Sequence, residues 1–385
     1  MPTLTLFQTT PRILMGPGAL ARTGEEARRL GTRKALVVTD PGVVAAGLAA
    51  RLEAVLDAAG IPRARFDAVE PDPRLEIAVA AAAAARAEQT DLVVGIGGGS
   101  PLDIAKVCAV LAATDKPVHA LFGIDQVPGP GLRTILIPTT AGTGSEATPV
   151  AILSDEQEKL KKGIVSPYLF PSSAVLDPEL TLGLPPHVTA ATGLDALIHA
   201  MEAFTSRNAG SMSDMLACQA MRLIWRNLRT AYANGEDLAA RAAMLEGSLL
   251  AGMAFANAGV TAVHAFAYPI GAEFHIPHGV ANSIMLPPVM EFNMIGNLGK
   301  FAQMAELFDE PVAGLNPREQ AARAVQAVRT LVADLGVPRT LSQFGVKDAH
   351  IPALAQGVMK VTRLLANNPR RLTAEDAEAI YRHVL

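Results

Sequence analysis

The sequence predicts two domains, an α/β domain with a parallel sheet over residues 1–185 and an all-helical domain over residues 186–385. From Arg33 onward, short β-branched segments alternate with helical patterns, which is typical of a parallel sheet covered by helices. After LPPH at 184–187, strand patterns end and apolar residues recur at helical spacing. A chain of 385 residues is also long for a single core, and two domains imply a cleft between them.

The elements of the first domain are predicted in a regular order. Strands are expected at KALVVT (34–39), ARFDAV (64–69), DLVVGI (91–96) and RTILIP (133–138), and shorter candidates at 150–153, 163–165 and 174–176 complete the first half of the chain. Helices are expected over about 43–59 and 73–89.

The composition favours a folded enzyme that acts on small molecules. Hydrophobic residues make up 50% of the chain and charged residues 18%, which is typical of a packed globular protein. The net charge is only -4 and the charges are scattered, so we expect no nucleic-acid partner. Cys108 and Cys218 lie among apolar neighbours and are interpreted as reduced core thiols.

The N-terminus and one apolar segment indicate where in the cell the protein is expected. The first 15 residues lack the basic and apolar pattern of a secretory signal, so a cytoplasmic protein is expected. The segment 247–272 has no charged residue and is long enough to cross a bilayer. Asn257, His264 and Pro269 interrupt it, and we therefore predict a buried helix near an active centre and no membrane contact.

A triple-glycine turn lies between a predicted strand and a helix in DLVVGIGGGSPLDIAK. Glycine allows positive φ and close approach of a diphosphate, which the N–H groups of a helix N-terminus attract. Ser100 is predicted to cap this helix, with Pro101 at its first position and Asp103 at its third. A tight strand–helix turn has the same composition, so phosphate binding needs further support. The expected cofactor contacts here are Gly97, Gly98, Gly99, Ser100 and Asp103.

Two further segments support a dinucleotide site. PTTAGTGSEAT at 138–148 follows a strand and places the hydroxyls of Thr139, Thr140, Thr143 and Ser145 at the same edge of the sheet, although a polar surface loop has a similar composition. Asp40 follows the first strand, where a carboxylate can accept from ribose hydroxyls and repel a 2'-phosphate. No Lys or Arg lies between Lys34 and Arg51, so NAD is expected over NADP unless Asp40 is an ordinary turn residue.

A candidate metal site lies in the helical domain. In GLDALIHAMEAF, Asp195 and His199 are four residues apart and share one helix face, although such residues are also common as caps or hydrogen-bonded core residues. His264 ends the uncharged segment and His278 opens the next helix, both in apolar surroundings where a metal would satisfy the imidazole. His275 is interpreted as lying outside this ligand set.

With these motifs the chain resembles the iron-containing alcohol dehydrogenases almost from end to end. The resemblance depends on GGGSPLDIAK, PTTAGTGSEAT, LDPELTLGLPP with ATGLDALIHAMEAF, and HAFAYPIGAEFHIPHGVANSIMLP. It implies a dehydroquinate synthase-like fold with a Rossmann-like first domain, and metal ligation by Asp195, His199, His264 and His278. It further implies ribose or nicotinamide contacts from Lys162 and Leu180, in addition to Asp40, Thr139 and Thr140. We also expect a homo-oligomer, a dimer or larger.

The resemblance also implies roles around the substrate. Family members commonly carry a second histidine four residues after the one that matches His264, and this chain has Tyr268 there. A phenol with a pKa of about 10 is a poorer proton relay than an imidazole. Val150 replaces a polar residue of diol-specific relatives and Phe255 matches an aromatic that narrows the pocket, so a less polar alcohol is expected.

The predicted reaction is hydride transfer between a small primary alcohol or its aldehyde and NAD(H), with the metal polarising the substrate oxygen. His264, His278 and Tyr268 are the expected catalytic residues. One carboxylate and three imidazoles suit Fe(II) and also Zn(II), and iron is implied by the resemblance. The alternatives are a dehydroquinate synthase-like lyase or cyclase, which would show no net NADH formation, and a non-catalytic dinucleotide-binding protein.

Overall fold

The computed structural model describes residues 6–155 and 160–385, which form two compact units. One unit is Gln8–Leu184, and the other is Pro185–Leu385 together with the first described residues, Leu6 and Phe7. The first unit is α/β, and the second is helical throughout. The predicted α/β and all-α fold class is therefore confirmed.

Nine strands lie in the described part of the α/β unit. They are β1 (Ile13–Met15), β2 (Ala35–Val38), β3 (Arg63–Phe66), β4 (Leu92–Gly97), β5 (Gly123–Ile124), β6 (Arg133–Pro138), β7 (Val150–Asp155), β8 (Leu160–Val165) and β9 (Ser173–Leu176). Six of them form a parallel sheet in the order β1-β9-β6-β4-β2-β3. Strands β4 and β2 are fully buried, as expected for the centre of a sheet with helices on both faces.

The helices of this unit cover both faces of the sheet. They are α1 (Thr23–Arg29), α2 (Pro41–Ala45), α3 (Leu48–Ala58), α4 (Leu75–Ala87) and α5 (Gly99–Ala112). One hydrophobic cluster includes Leu52 and Leu56 of α3 on one face of the sheet, and a second includes Ala81 of α4 and Leu102 of α5. The single helix predicted over 43–59 is wrong, because the chain breaks at Gly47, where φ is 74°.

The three shorter candidates at 150–153, 163–165 and 174–176 are confirmed as strands, but they do not all belong to the main sheet. Strand β9 does join it, whereas β7 and β8 form an antiparallel pair that, with β5, makes a separate three-stranded sheet. The short β1 and β5 carry no pattern that the sequence analysis detected. Both are brief segments beside glycine or proline residues, where alternation of apolar and polar residues cannot develop.

Ten α-helices lie in the described part of the second unit. They are α6 (Pro186–Thr205), α7 (Ser211–Ala233), α8 (Leu238–Ala258), α9 (Ala262–Phe274), α10 (His278–Asn293), α11 (Leu298–Leu307), α12 (Pro317–Asp334), α13 (Ile351–Lys360), α14 (Thr362–Leu365) and α15 (Ala374–His383). The uncharged segment 247–272 was predicted to be one buried helix. The structure differs, because Gly259, with a φ of 78°, separates α8 from α9. His264 therefore lies in the first turn of α9, and Pro269 lies inside that helix.

Helix α8 is the one helix among the described residues that is long and apolar enough to cross a bilayer. In the most apolar stretch of 18 residues of this helix, 56% of the residues are buried in the protein. Burial of this kind is typical of a core helix of a globular unit.

Candidate metal centre and dinucleotide-binding loops

The parallel sheet brings the predicted cofactor residues to one edge. Gly97 ends β4 opposite Pro138 of β6, and the Thr139 amide donates to the Gly97 carbonyl at 2.9 Å. Asp40 follows the neighbouring β2, whose Val38 pairs with Gly95 of β4. The ends of three adjacent parallel strands thus meet where open α/β sheets bind ligands.

Two of the three glycines of this edge, Gly97 and Gly99, leave no room for a side chain. Gly97 has φ 150°, and a Cβ there would lie 2.6 Å from Pro101 Cγ and 3.3 Å from Asp40 Oδ2. A Cβ at Gly99 would lie 2.6 Å from Thr143 Cγ2, and at Gly98 it would lie 3.5 Å from Thr140 Oγ1. A side chain at Gly97 or Gly99 would therefore collide with Pro101 or Thr143, and the tight glycine turn that results is typical of a phosphate-binding loop.

The helix that follows the turn begins earlier than predicted. Gly98 is the N-cap of α5, without a side-chain cap, and Ser100 and Pro101 are its second and third residues. The prediction that Ser100 caps the helix is therefore wrong: the chain turns at the glycines, so the helical conformation begins at Gly99. The free N–H groups of the first turn still lie at the glycine turn.

Asp103 and Ser145 contact each other and fix the second loop to α5. The Ser145 hydroxyl donates to Asp103 Oδ1 at 2.5 Å, and the amide of Ile152 donates to Asp103 Oδ2 at 2.9 Å. Ser145 is 4% exposed. Contact of these two side chains with a cofactor stays a prediction.

The remaining cofactor candidates occupy different environments. Asp40 Oδ1 accepts from the Val43 amide at 2.9 Å and so caps α2. Lys162 Nζ, in β8, is 2.9 Å from Asp155 Oδ2 and 5.4 Å from the centroid of the Phe122 ring. Leu180 lies in a 3-10 turn and is 2% exposed, and its contact with a cofactor stays a prediction.

The four predicted metal ligands come together in the helical unit. Asp195 and His199 lie one turn apart on α6, His264 lies in the first turn of α9, and His278 is the first residue of α10. From Asp195 Oδ1 the distance is 3.7 Å to His264 Nε2 and 3.8 Å to His278 Nε2, and from Asp195 Oδ2 it is 4.0 Å to His199 Nδ1. Two ligands about 2.1 Å from one ion lie at most about 4.2 Å apart, so these separations fit a shared metal.

Close helix packing produces this convergence. A Cβ on Gly279, the residue after His278, would lie 2.5 Å from the carbonyl oxygen of Ala191 in α6. Glycine at this position therefore lets the start of α10 approach the α6 backbone and brings His278 beside Asp195. The His278 side chain is 32% exposed, against 3% for His264 and 5% for Asp195, so it is the ligand candidate on the open side.

One buried atom indicates that the site is built for a cation. His264 Nε2 is buried and has no hydrogen-bond partner among the described residues. A buried imidazole nitrogen without a partner is costly, and a metal ion satisfies it. Asp195, His199 and His264 each offer a ligand atom within 4.8 Å of the others, so the donor set fits the divalent metal that the sequence predicts.

The electrostatics of the site keep its carboxylate charged. Burial raises the pKa of Asp195, but the imidazoles of His199, His278 and His264 outweigh burial and lower the pKa below its usual value. The Asn282 amide also donates to Asp195 Oδ1 at 2.8 Å. An ionised oxygen ligand is therefore available at neutral pH.

Glu202 and Asn282 are two residues of the site that the sequence analysis missed. Glu202 Oε2 is 2.5 Å from His264 Nδ1, and Asn282 Nδ2 is 3.1 Å from His278 Nε2. The sequence spacing could have indicated both residues. Glu202 follows Asp195 by seven residues and His199 by three. Asn282 follows His278 by four residues. These spacings place each of them on the helix face of a ligand.

The predicted substrate residues have these positions. The Phe255 ring in α8 stacks on His199 with 4.5 Å between centroids, and the Tyr268 ring is 6.2 Å from that of His278. Val150 begins β7 in the other unit, and its carbonyl accepts from Lys106 Nζ at 2.8 Å. His275 is exposed, in agreement with its exclusion from the ligand set.

Comparison with known proteins identifies the family. The chain matches the model of the iron-containing alcohol dehydrogenases over residues 10–178 and that of the C-terminal domain of the Fe-containing alcohol dehydrogenase family over residues 189–385. The chain belongs to the iron-containing alcohol dehydrogenase family. The resemblance stated from the sequence is thus confirmed, as is the prediction of an NAD- and iron-dependent alcohol dehydrogenase.

Individual relatives of this family have different named substrates. Long-chain-alcohol dehydrogenase 1 of Geobacillus thermodenitrificans (strain NG80-2) is 44% identical, over 95% of this chain and 93% of its own. A solved 1,3-propanediol oxidoreductase is 40% identical and superposes with a TM-score of 0.97 over all of both chains. Sulfoacetaldehyde reductase from Bifidobacterium kashiwanohense, solved with NAD+, is 30% identical, with a TM-score of 0.90 over 100% of this chain and 99% of its own.

Proposed function

We propose that Asp195, His199, His264 and His278 hold the metal of this alcohol dehydrogenase. The observation that carries the proposal is the buried His264 Nε2, which has no hydrogen-bond partner in the part of the chain that the structure describes and lies 3.7 Å from Asp195 Oδ1. A divalent ion held by these residues supplies a Lewis acid that polarises the oxygen of an alcohol or aldehyde. The protein's own contribution is to hold one carboxylate and three imidazoles in a fixed arrangement, with His278 on the exposed side.

We propose that NAD is bound by the turn Gly97–Ser100 and by Asp40, Thr139, Thr140 and Thr143. Backbone N–H groups of the turn would meet the diphosphate, and Asp40 would accept from the adenosine ribose. Support comes from the glycine contacts, which place Asp40, Thr140 and Thr143 around the turn. Asp103, Ser145, Lys162 and Leu180 complete the proposed set, with Asp103 and Ser145 also fixing the loop.

We propose that the substrate is a small primary alcohol or aldehyde of low polarity. Phe255 presents an aromatic ring beside His199, and Tyr268 lies on the same face of α9 as His264, four residues later. Tyr268 can orient a substrate oxygen by hydrogen bonding, whereas a phenol is a poorer proton relay than an imidazole. Val150 is proposed as a further apolar contact with the substrate.

The function is tested with purified protein stripped of metal and then reloaded with Fe(II) or Zn(II). We expect reloaded protein to form NADH from primary alcohols and the stripped protein to form almost none, because the polarising charge is missing. A panel of alcohols of increasing chain length, with 1,3-propanediol as the polar comparison, measures the substrate preference through kcat/KM. Turnover that is equal with and without metal contradicts the metal site, and turnover without net NADH would support the lyase alternative.

Removal of the Asp40 charge should relax the preference for NAD over NADP. Asp40→Gly and Asp40→Asn both remove the repulsion of a 2'-phosphate, and Asn keeps the cap on α2. We expect the ratio of kcat/KM for NADP to that for NAD to rise roughly tenfold, which corresponds to about 1.4 kcal/mol. An unchanged ratio in both variants would remove Asp40 from the cofactor site.

We further propose a cytoplasmic homo-oligomer, a dimer or larger, without nucleic-acid or membrane partners. The two cysteines are free, and the buried Cys108 thiol has its pKa raised to about 12 by burial, which makes it inert. The net charge of -4, spread along the chain, supports the absence of a nucleic-acid partner. The two compact units support the proposed domain division near residue 185.

A further inference from the structure

Glu202 is a buried carboxylate that receives three hydrogen bonds from the start of α9. Its side chain is 3% exposed. Oε1 accepts from the Thr261 hydroxyl at 2.6 Å and from the Val263 amide at 2.7 Å, while Oε2 meets His264 Nδ1 at 2.5 Å. The whole carboxylate therefore contacts the one turn of chain that carries His264.

The contact with Glu202 determines which ring nitrogen of His264 faces the other ligands. An ionised carboxylate only accepts hydrogen bonds, so Nδ1 carries the hydrogen in this contact. The lone pair is then on Nε2, the buried atom without a partner that lies 3.7 Å from Asp195 Oδ1. Neutral imidazole binds a metal only through its unprotonated nitrogen, so this arrangement prepares His264 as a ligand.

The same contact fixes the position of α9 relative to α6. Glu202 belongs to α6, the helix of Asp195 and His199, whereas its three donors belong to the beginning of α9 and the residue before it. The Val263 amide is one of the N–H groups that a helix leaves unpaired at its first turn, and Glu202 satisfies it. Glu202 thereby links two ligand-bearing helices through a single side chain.

We propose that Glu202 is a positioning residue of the metal centre, which orients His264, fixes its tautomer and strengthens it as a donor. The proposal rests on the metal-binding role proposed above for Asp195, His199, His264 and His278. Carboxylates that accept from a metal-bound histidine typically contribute 10- to 100-fold to metal affinity, because they fix the ring and increase its basicity. A purely structural Glu202 would stabilise the fold without this effect on metal binding.

The test is the affinity of the metal-free protein for Zn²⁺, measured by competition with a chelator. Glu202→Gln keeps the size of the side chain and removes its charge, and we expect it to weaken Zn²⁺ binding by about 10- to 100-fold. The visible spectrum of Co²⁺ bound to this variant should also differ from that of the wild type, since the orientation of one ligand changes. NAD affinity, measured separately, should be unchanged.

Two control variants separate positioning from general stability. Glu26→Gln removes another glutamate with a buried side chain, which in the other unit pairs with Arg12 and Arg29. Glu53→Gln removes a second glutamate of that unit, whose side chain is 13% exposed and pairs with Arg63 and Arg65. Both should bind Zn²⁺ within about threefold of the wild type, well inside the effect expected for Glu202.

The possible results distinguish a failure of the role proposed for Glu202 from a failure of the proposed metal site. Wild-type Zn²⁺ affinity in Glu202→Gln, together with strong loss in Asp195→Ala, would overturn the role of Glu202 and leave the metal site intact. Wild-type affinity in Asp195→Ala as well would overturn the metal site.

Should Glu202→Gln fail to fold, Glu202→Asp withdraws the carboxylate from His264 by one methylene, and we expect it to weaken Zn²⁺ binding about threefold or more. Unchanged affinity in that variant would also overturn the proposal.

Discussion

Asp195→Ala is expected to lower alcohol turnover by at least about 1,000-fold, since the Lewis-acid contribution of a bound metal is worth several kcal/mol. Asp195 is the central member of the site, because its carboxylate lies within 4.0 Å of ring nitrogens of His199, His264 and His278. Its removal deletes the only negative charge in the ligand set and leaves three imidazoles to hold a divalent ion. We measure kcat with NAD and metal in excess, and metal content by elemental analysis.

NAD affinity should change less than threefold in the same variant, since the proposed NAD-binding residues all lie in Gln8–Leu184. His264→Ala should reproduce the loss of turnover. His275→Asn is the matched control, because His275 is an exposed imidazole three residues from His278, and Asn tolerates its φ of 53°. Turnover in Asp195→Ala equal to that in the control would contradict the site, and a parallel loss of NAD affinity would indicate unfolding.

Much of this site could be predicted because its signals are local. Asp195 and His199 are four residues apart on one helix, and the triple glycine lies directly between a strand and a helix, so adjacent residues reveal both motifs. His264 and His278 were found differently, from imidazoles in apolar surroundings where a partner is required. The family resemblance then joined the distant segments, which spacing alone cannot do.

The features that the sequence analysis did not predict depend on contacts between segments that are distant in the chain. Glu202 is one of two acidic residues of α6, and only the fold shows that the start of α9 contacts it. The hydrogen bond between Asp103 and Ser145 was also not predicted, because the two residues are 42 positions apart in the chain. Strands β7 and β8 were predicted, but their antiparallel pairing in a separate sheet was not, since the pairing partners of a strand are set by the fold.

A second group of buried ionisable residues lies next to the loop at 138–148, which is proposed to bind NAD. Lys106 Nζ donates to Val150 O at 2.8 Å and to Thr148 Oγ1 at 3.2 Å, and it lies 3.7 Å from Asp103 Oδ1. Glu146 is 1% exposed, and its Oε1 has no hydrogen-bond partner among the described residues. Burial raises the pKa of Glu146 to about 7, although the charge of Lys106 opposes this, and burial lowers the pKa of Lys106 to about 8.

Glu146→Gln is therefore expected to stabilise the protein increasingly as the pH rises from 5 to 7. Because the folded pKa of about 7 exceeds the reference value of 4.5, the carboxyl favours folding below pH 4.5 and this contribution is lost as the pH rises toward 7. Gln mimics the protonated form at every pH. The difference in free energy of unfolding between variant and wild type should then grow by roughly 2 kcal/mol between pH 5 and pH 7.

Urea unfolding of wild type and variant at several pH values measures this difference, and Glu25→Gln serves as the control because its side chain is 58% exposed. The control should differ from the wild type by an amount that varies less than about 0.5 kcal/mol over the same range, as an exposed ion pair contributes little. A pH-independent difference for Glu146→Gln would show that the carboxyl titrates in the folded protein as it does in the unfolded chain. A growing difference would show that this buried carboxyl, next to Lys106 and the loop of Thr143 and Ser145, takes up a proton on folding near neutral pH.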